Sequence, residues 1–208
     1  IYTTGKDHQA LYDLVMSQKS STKSPDKILS CNIRLAKIAA DLGRPEDAIS
    51  ALNDVLKLQP RNLEALNSAI AIHVQQKDYD HALEKLKGKL ECMNTDAEKA
   101  EVYCEVARTL ETANWGKAQV RQSYETALKA DPRCETALKA LYDMAEADGD
   151  KRGQLDVLRR RADNETDEAA KLDALLKVAD KAEEDDSCAD IAASVLSVIY
   201  SAKKDDVD

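Results

Sequence analysis

Three histidines, five cysteines and 39 carboxylates are the side chains of this 208-residue chain that could do chemistry. His8, His73 and His81 are scattered, and His73 with His81 does not make the H-E-x-x-H spacing that sets two imidazoles on one helix face for zinc. His73 reads as a packed histidine against a neighbouring helix, while His8 and His81 fall near turns and read as exposed. The cysteines (Cys31, Cys92, Cys104, Cys134 and Cys188) are odd in number, and no two are closer than 12 residues. Without a C-x-x-C they suggest neither a zinc nor a redox site. They read as small buried thiols, left unpaired in a reducing, cytoplasmic compartment. The acidic run Glu183-Glu184-Asp185-Asp186 lacks the alternating ligand spacing of a calcium loop and reads as a solvated connection. No glycine-rich phosphate loop and no serine nucleophile elbow occurs. No catalytic group, metal or cofactor is therefore expected. Trp115, between Asn114 and Gly116, reads as a packing plug at a turn.

Charge narrows the partners. A net charge of −9 and a pI near 5.0 argue against nucleic acid, which needs clustered cations. The one basic run, Arg159-Arg160-Arg161, reads as a solvated helix face near a carboxyl end, where cations suit the helix dipole. No apolar run approaches the ~18 residues that membrane insertion requires. The sequence opens on Ile1 instead of Met and reads as a piece of a larger polypeptide. Six Gly, four Pro, no Phe and 4% aromatic residues are too few turn formers and aromatics for a sandwich or barrel. The chain reads as all-α.

Organisation appears as a recurring pattern. From Leu29 to Asn62, Ile33, Leu35, Ala36, Ile38 and Ala39 form an apolar helical face that Gly43 ends at a C-terminal cap position. Pro45 then stands where a first helical residue often stands, Glu46 and Asp47 favour the positive end of the dipole, and Ala48, Ile49, Leu52, Val55 and Leu56 continue to Pro60. The pattern returns over 63–96, with Asp78 as an N-cap and Lys77 in place of the glycine. It returns again at about 100–132, with a Thr95–Glu98 capping box lengthening the first helix upstream and about one residue inserted near the turn. Two looser copies follow at 135–168 and 169–200. Upstream, 1–18 reads as the second helix of a truncated repeat. Residues 19–28 read as a Ser-rich loop and helix start, with Ser17–Ser24 as the linker, and 204–208 as an acidic tail.

These residues resemble the tetratricopeptide repeat. Leu35 and Ala36, Gly43, Ala48, Leu52 and Pro60 stand at that family's positions 7, 8, 15, 20, 24 and 32, while Asn32 replaces its large aromatic at position 4 and Val55 its alanine at 27. The resemblance implies a right-handed α-solenoid of stacked antiparallel helix pairs. It also implies a non-catalytic scaffold that binds another protein, as an extended peptide or helix, in a concave groove lined by first helices. Carried over by repeat position, that groove includes Lys37, Asp41, Asn67, Gln75, Arg108, Lys139, Asp143 and Lys177, with Glu64, Ala71, Glu101, Cys104, Thr136 and Asp173 among their neighbours. The cations could contact peptide carbonyls or acids, or simply keep an exposed face soluble. A chaperone C-terminal carboxylate is not expected, because Ile33, Lys37, Ser68, Glu101 and Glu105 occupy the positions of that clamp and two acids replace two cations. The alternative reading is an assembly subunit of a complex or oligomer that packs through its convex face or ends. An RNA-processing repeat protein is a distant third.

Overall fold

The computed structural model describes residues 5–205. Its order is α1 (Gly5–Ser21), α2 (Pro25–Asp41), α3 (Pro45–Leu58), α4 (Leu63–Gln75), α5 (Tyr79–Leu90), α6 (Asp96–Thr112), α7 (Lys117–Ala130), α8 (Glu135–Ala147), α9 (Lys151–Asp163), α10 (Glu168–Glu183) and α11 (Ala189–Asp205). A single 3-10 turn, Asp186–Cys188, precedes α11, and no strand occurs among the described residues. The chain is thus all-α, with its helices packed in consecutive pairs.

Two compact units can be distinguished, residues 1–94 with 108–115 and residues 95–107 with 116–208. In the first, α2 packs on α3 and α4 on α5, while α1 covers α2 and α3 meets α4. The core gathers Val15, Leu35, Leu52 and Val55 with the small residues Ala36, Ala51, Ala65 and Ala69. Alanines at the crossings let backbones approach closely, and the leucines fill the seams. Removing one such leucine from water stabilises the fold by about 2 kcal/mol. Asn32, at the aromatic position of the repeat, is fully buried in this unit, and neither its Oδ1 nor its Nδ2 has a hydrogen-bond partner. In the second unit α7 packs on α8, α8 on α9, α9 on α10 and α10 on α11. Leu155, Leu175, Val178, Ala179, Ala182 and Val195 lie at the centre of one core there.

Local chemistry fixes the helix ends. Pro25 and Pro45 open α2 and α3. Asn62, Asp78, Asp150 and Asp167 accept from backbone N–H groups in the first turns of α4, α5, α9 and α10. The capping box at α6 forms as a reciprocal pair, Glu98 N–H to Thr95 Oγ1 at 3.2 Å and Thr95 N–H to Glu98 Oε2 at 3.0 Å. Polar contacts between helices or the turns that join them recur at about one repeat of sequence: Lys19–Asp54, Arg61–Glu91, Thr136–Glu101, Arg160–Glu125 and Arg152–Asp190 join residues 30 to 38 apart.

Several expectations need correction. The Ser-rich segment is mostly helix, since α1 runs to Ser21 and leaves only Thr22–Ser24 between helices. Ser20 and Ser21 donate their hydroxyls to the Met16 and Gln18 carbonyls, and Lys19 reaches Asp54 at 3.1 Å. The serines therefore satisfy the last turn and do not dissolve it. The acidic tail falls largely outside the described residues. Trp115 does not plug a core, because 46% of its surface is exposed. The arginine run is more than a solvated face: Arg160 pairs with Glu125 and Asp156, each at 2.8 Å, and Arg161 with Glu135 at 3.1 Å. The acidic run is likewise built in. Asp185 caps the 3-10 turn, accepting from Ser187, and pairs with Lys151 at 2.9 Å.

Candidate functional site

All eight side chains assigned to the groove are exposed: Lys37, Asp41, Asn67, Gln75 and Arg108 in the first unit, Lys139, Asp143 and Lys177 in the second. Helix periodicity explains this, because each lies off the apolar stripe that its helix buries. In the first unit α2 and α4 enclose a cavity of about 220 Å³ whose lining includes Ile33, Lys37, Ala40, Glu64, Ala71 and Ile72. Its floor is apolar, and its rim carries an ion pair between Lys37 Nζ and Glu64 Oε1 at 2.9 Å, both exposed. Lys37 is thus already neutralised within the rim. In the second unit Lys177 is paired with Asp173 along α10. Thr136 on α8 donates to Glu101 Oε1 on α6 at 3.2 Å.

Cys104, read as a groove residue, is fully buried and not available to a ligand. Its Sγ lies 3.7 Å from that of Cys134. Burial pushes the Cys134 thiol above its usual pKa, which keeps it protonated. All five cysteines are buried and none is in a disulfide.

The turn between α4 and α5 holds an arrangement that the sequence spacing concealed. His73 lies in the last turn of α4, Lys77 adopts a left-handed φ of 60°, and Asp78 caps α5, one turn before His81. The reversal brings the two histidines onto one carboxylate. His73 Nδ1 lies 3.0 Å from Asp78 Oδ2, and His81 Nδ1 lies 2.8 Å from Oδ2 and 2.9 Å from Oδ1. The rings stack with centroids 5.2 Å apart and planes 19° from parallel. His73 is buried and His81 exposed, as expected, and the fold brings together two histidines that are scattered in sequence. The hydrogen bond from the His81 side chain holds the Asp78 carboxyl below its ordinary pKa, and Asp78 in turn raises that of His81. A second, wider depression of about 810 Å³, lined among others by Glu46, Ser50, Asn53, Lys57, His73 and Asp78, opens beside this cluster.

With this geometry in place, comparison with known proteins shows what the chain is similar to. Residues 33–88 match the tetratricopeptide repeat family, the span that holds α3, α4 and most of α2 and α5. Over that span the chain is similar to the tetratricopeptide repeat. Among solved structures, the crystal structure of MamA is similar with a TM-score of 0.51 and 18% sequence identity, over 86% of this chain and 99% of that one. That likeness is one of fold. No curated protein matches the sequence.

Proposed function

We propose that the chain is a non-catalytic scaffold that holds a segment of a partner protein, an extended peptide or a helix, against α2 and α4. The observation that carries this reading is the open cavity between those two first helices. Ile33, Ala40, Ala71 and Ile72 offer apolar contact there, and the Lys37–Glu64 pair offers both charge signs at the rim. An apolar floor supplies affinity, while a mixed rim supplies register without demanding a strongly charged ligand. The exposed cavity-lining alanines, Ala40 and Ala71, leave room that a partner side chain would fill. Taken by itself, the second unit offers Lys139, Asp143 and Lys177 as the corresponding exposed residues of its first helices. Five buried thiols without a disulfide suit a reducing, cytoplasmic setting.

The test is affinity capture from the native source with the parent chain and with Ala71→Trp, which fills the cavity from an exposed position. Helicity is checked by circular dichroism. A partner held by the parent and lost by an equally helical Ala71→Trp supports the groove. The assembly reading is favoured by exposed apolar residues elsewhere, Leu14 on α1 at 54% and Tyr200 on α11 at 74%. A partner retained by Ala71→Trp but lost by Leu14→Glu or Tyr200→Glu would move the function to those helices.

A further inference from the structure

We propose that His73, Asp78 and His81 form a binding site for a divalent transition-metal ion with the ligand preferences of zinc, clipping the end of α4 to the start of α5. Three observations carry this independently of the groove. The first is convergence. One potential ligand atom from each side chain lies within 4.8 Å of the other two. Both Nδ1 atoms face the same carboxylate at 2.8–3.0 Å. Around a tetrahedral ion with bonds of ~2.0–2.1 Å, neighbouring donors stand about 3.3 Å apart. Each nitrogen-to-carboxylate distance is therefore within about half an ångström of that spacing, and the two side chains' nitrogens lie within 4.8 Å of each other. Side-chain rotation of the exposed His81 is the adjustment that admits the ion.

The second observation is preorganisation. The backbone that carries the donors is fixed by the turn itself: Lys77 N–H bonds to the Val74 carbonyl at 3.0 Å and Asp78 N–H to the His73 carbonyl at 2.8 Å. His73 is held by burial, its side chain only 8% exposed. Asp78 is held by its capping contact with the His81 N–H. Binding would thus order little that is not already ordered, which favours affinity.

The third is the donor set. Two imidazole nitrogens and one carboxylate suit Zn²⁺, Co²⁺, Ni²⁺ or Cu²⁺, whereas Mg²⁺ and Ca²⁺ prefer all-oxygen shells. Three protein ligands leave a coordination position for water or for a donor brought by a partner. That position has a way in, because the His81 side chain is 60% exposed and His73 and Asp78 also line the 810 Å³ depression.

The experiment uses the full, untagged chain after chelator treatment, titrated with Zn²⁺ by calorimetry and with Co²⁺ by visible absorption. The expected result is one ion per chain, with affinity falling at least about tenfold in His81→Ala and in Asp78→Asn. Zn²⁺ should raise the melting temperature of the parent and not that of His81→Ala. His81→Ala removes an exposed side chain, so its circular dichroism should match the parent. Unchanged Zn²⁺ affinity in His81→Ala, thiolate charge-transfer bands in the Co²⁺ spectrum, or the absence of both heat and a melting shift would each overturn the proposal. The cluster would then be only a hydrogen-bonded cap.

Discussion

The α2–α3 turn and the α4–α5 turn make the same reversal with different residues. At the first, Gly43 takes φ 68° and the next N–H, of Arg44, reaches back to the Ala39 carbonyl at 2.8 Å. At the second, Lys77 takes φ 60° and the Asp78 N–H reaches the His73 carbonyl, also at 2.8 Å. Glycine accepts this conformation freely, whereas a side chain makes it costly by roughly 1–2 kcal/mol. Asn114 at 56° and Gly149 at 66° make the reversal again, with Trp115 and Asp150 donating five residues back. The backbone pattern therefore defines the turn, and glycine is only the least strained residue for it. Where lysine stands instead, Asp78 and two histidines cross-link the turn with side-chain hydrogen bonds, a support absent at Gly43, where Arg44 gives no side-chain cap.

This contrast can be broken most forcefully at the glycine. Gly43→Val has open space around the new side chain, so the strain comes from φ alone and should cost about 2 kcal/mol, read as a lower urea midpoint. A cost near zero would show that the turn relaxes. The same first unit holds a second departure from the repeat pattern, the buried amide of Asn32. Asn32→Leu replaces two unpaired polar groups with apolar surface and should stabilise by about 1–2 kcal/mol. Next comes Lys77→Gly, which relieves the strained residue beside the histidine cluster and should raise stability by about 1 kcal/mol in metal-free protein.

The smallest effect sharpens the comparison with a junction built differently. Between α10 and α11 no left-handed residue occurs among those described, and Asp185 is held by Lys151 and by Ser187. Those contacts depress the Asp185 carboxyl to about 2. Since the unfolded value is ~3.9, its contribution is present above about pH 4 and lost as pH falls from there towards 2. Lys151→Ala should flatten that acid limb in a pH series of thermal melts, while Gly43→Val should leave its shape unchanged.

Much of the fold was legible because its determinants are local. Gly43 and Pro45 punctuate one pair, Thr95 and Glu98 sit three apart, and alanines recur at close helix crossings. The histidine cluster was hidden because its members stand five and three residues apart across a reversal, and the residue that makes the reversal is a lysine. A glycine at 77 would have marked the turn, and with it the approach of His73 to Asp78. Asn32 was visible as a departure from the repeat, but its lack of partners depends on what surrounds it in the core. Ser20 and Ser21 misled because serine composition signals a loop, while their hydroxyls bond to carbonyls one turn back. The exposure of the groove residues followed from periodicity; the Lys37–Glu64 pairing depended on how α2 meets α4.

The spacing of the polar contacts between helices bears on how the chain gains and loses its structure. Lys19–Asp54, Arg160–Glu125 and Arg152–Asp190 each reach about one repeat along the sequence. Order can then spread from one helix pair to the next like a zipper, with only short loops to close at each step. Such a topology favours rapid folding, and under mild denaturant it allows one pair to exchange its amide hydrogens while a neighbour stays protected.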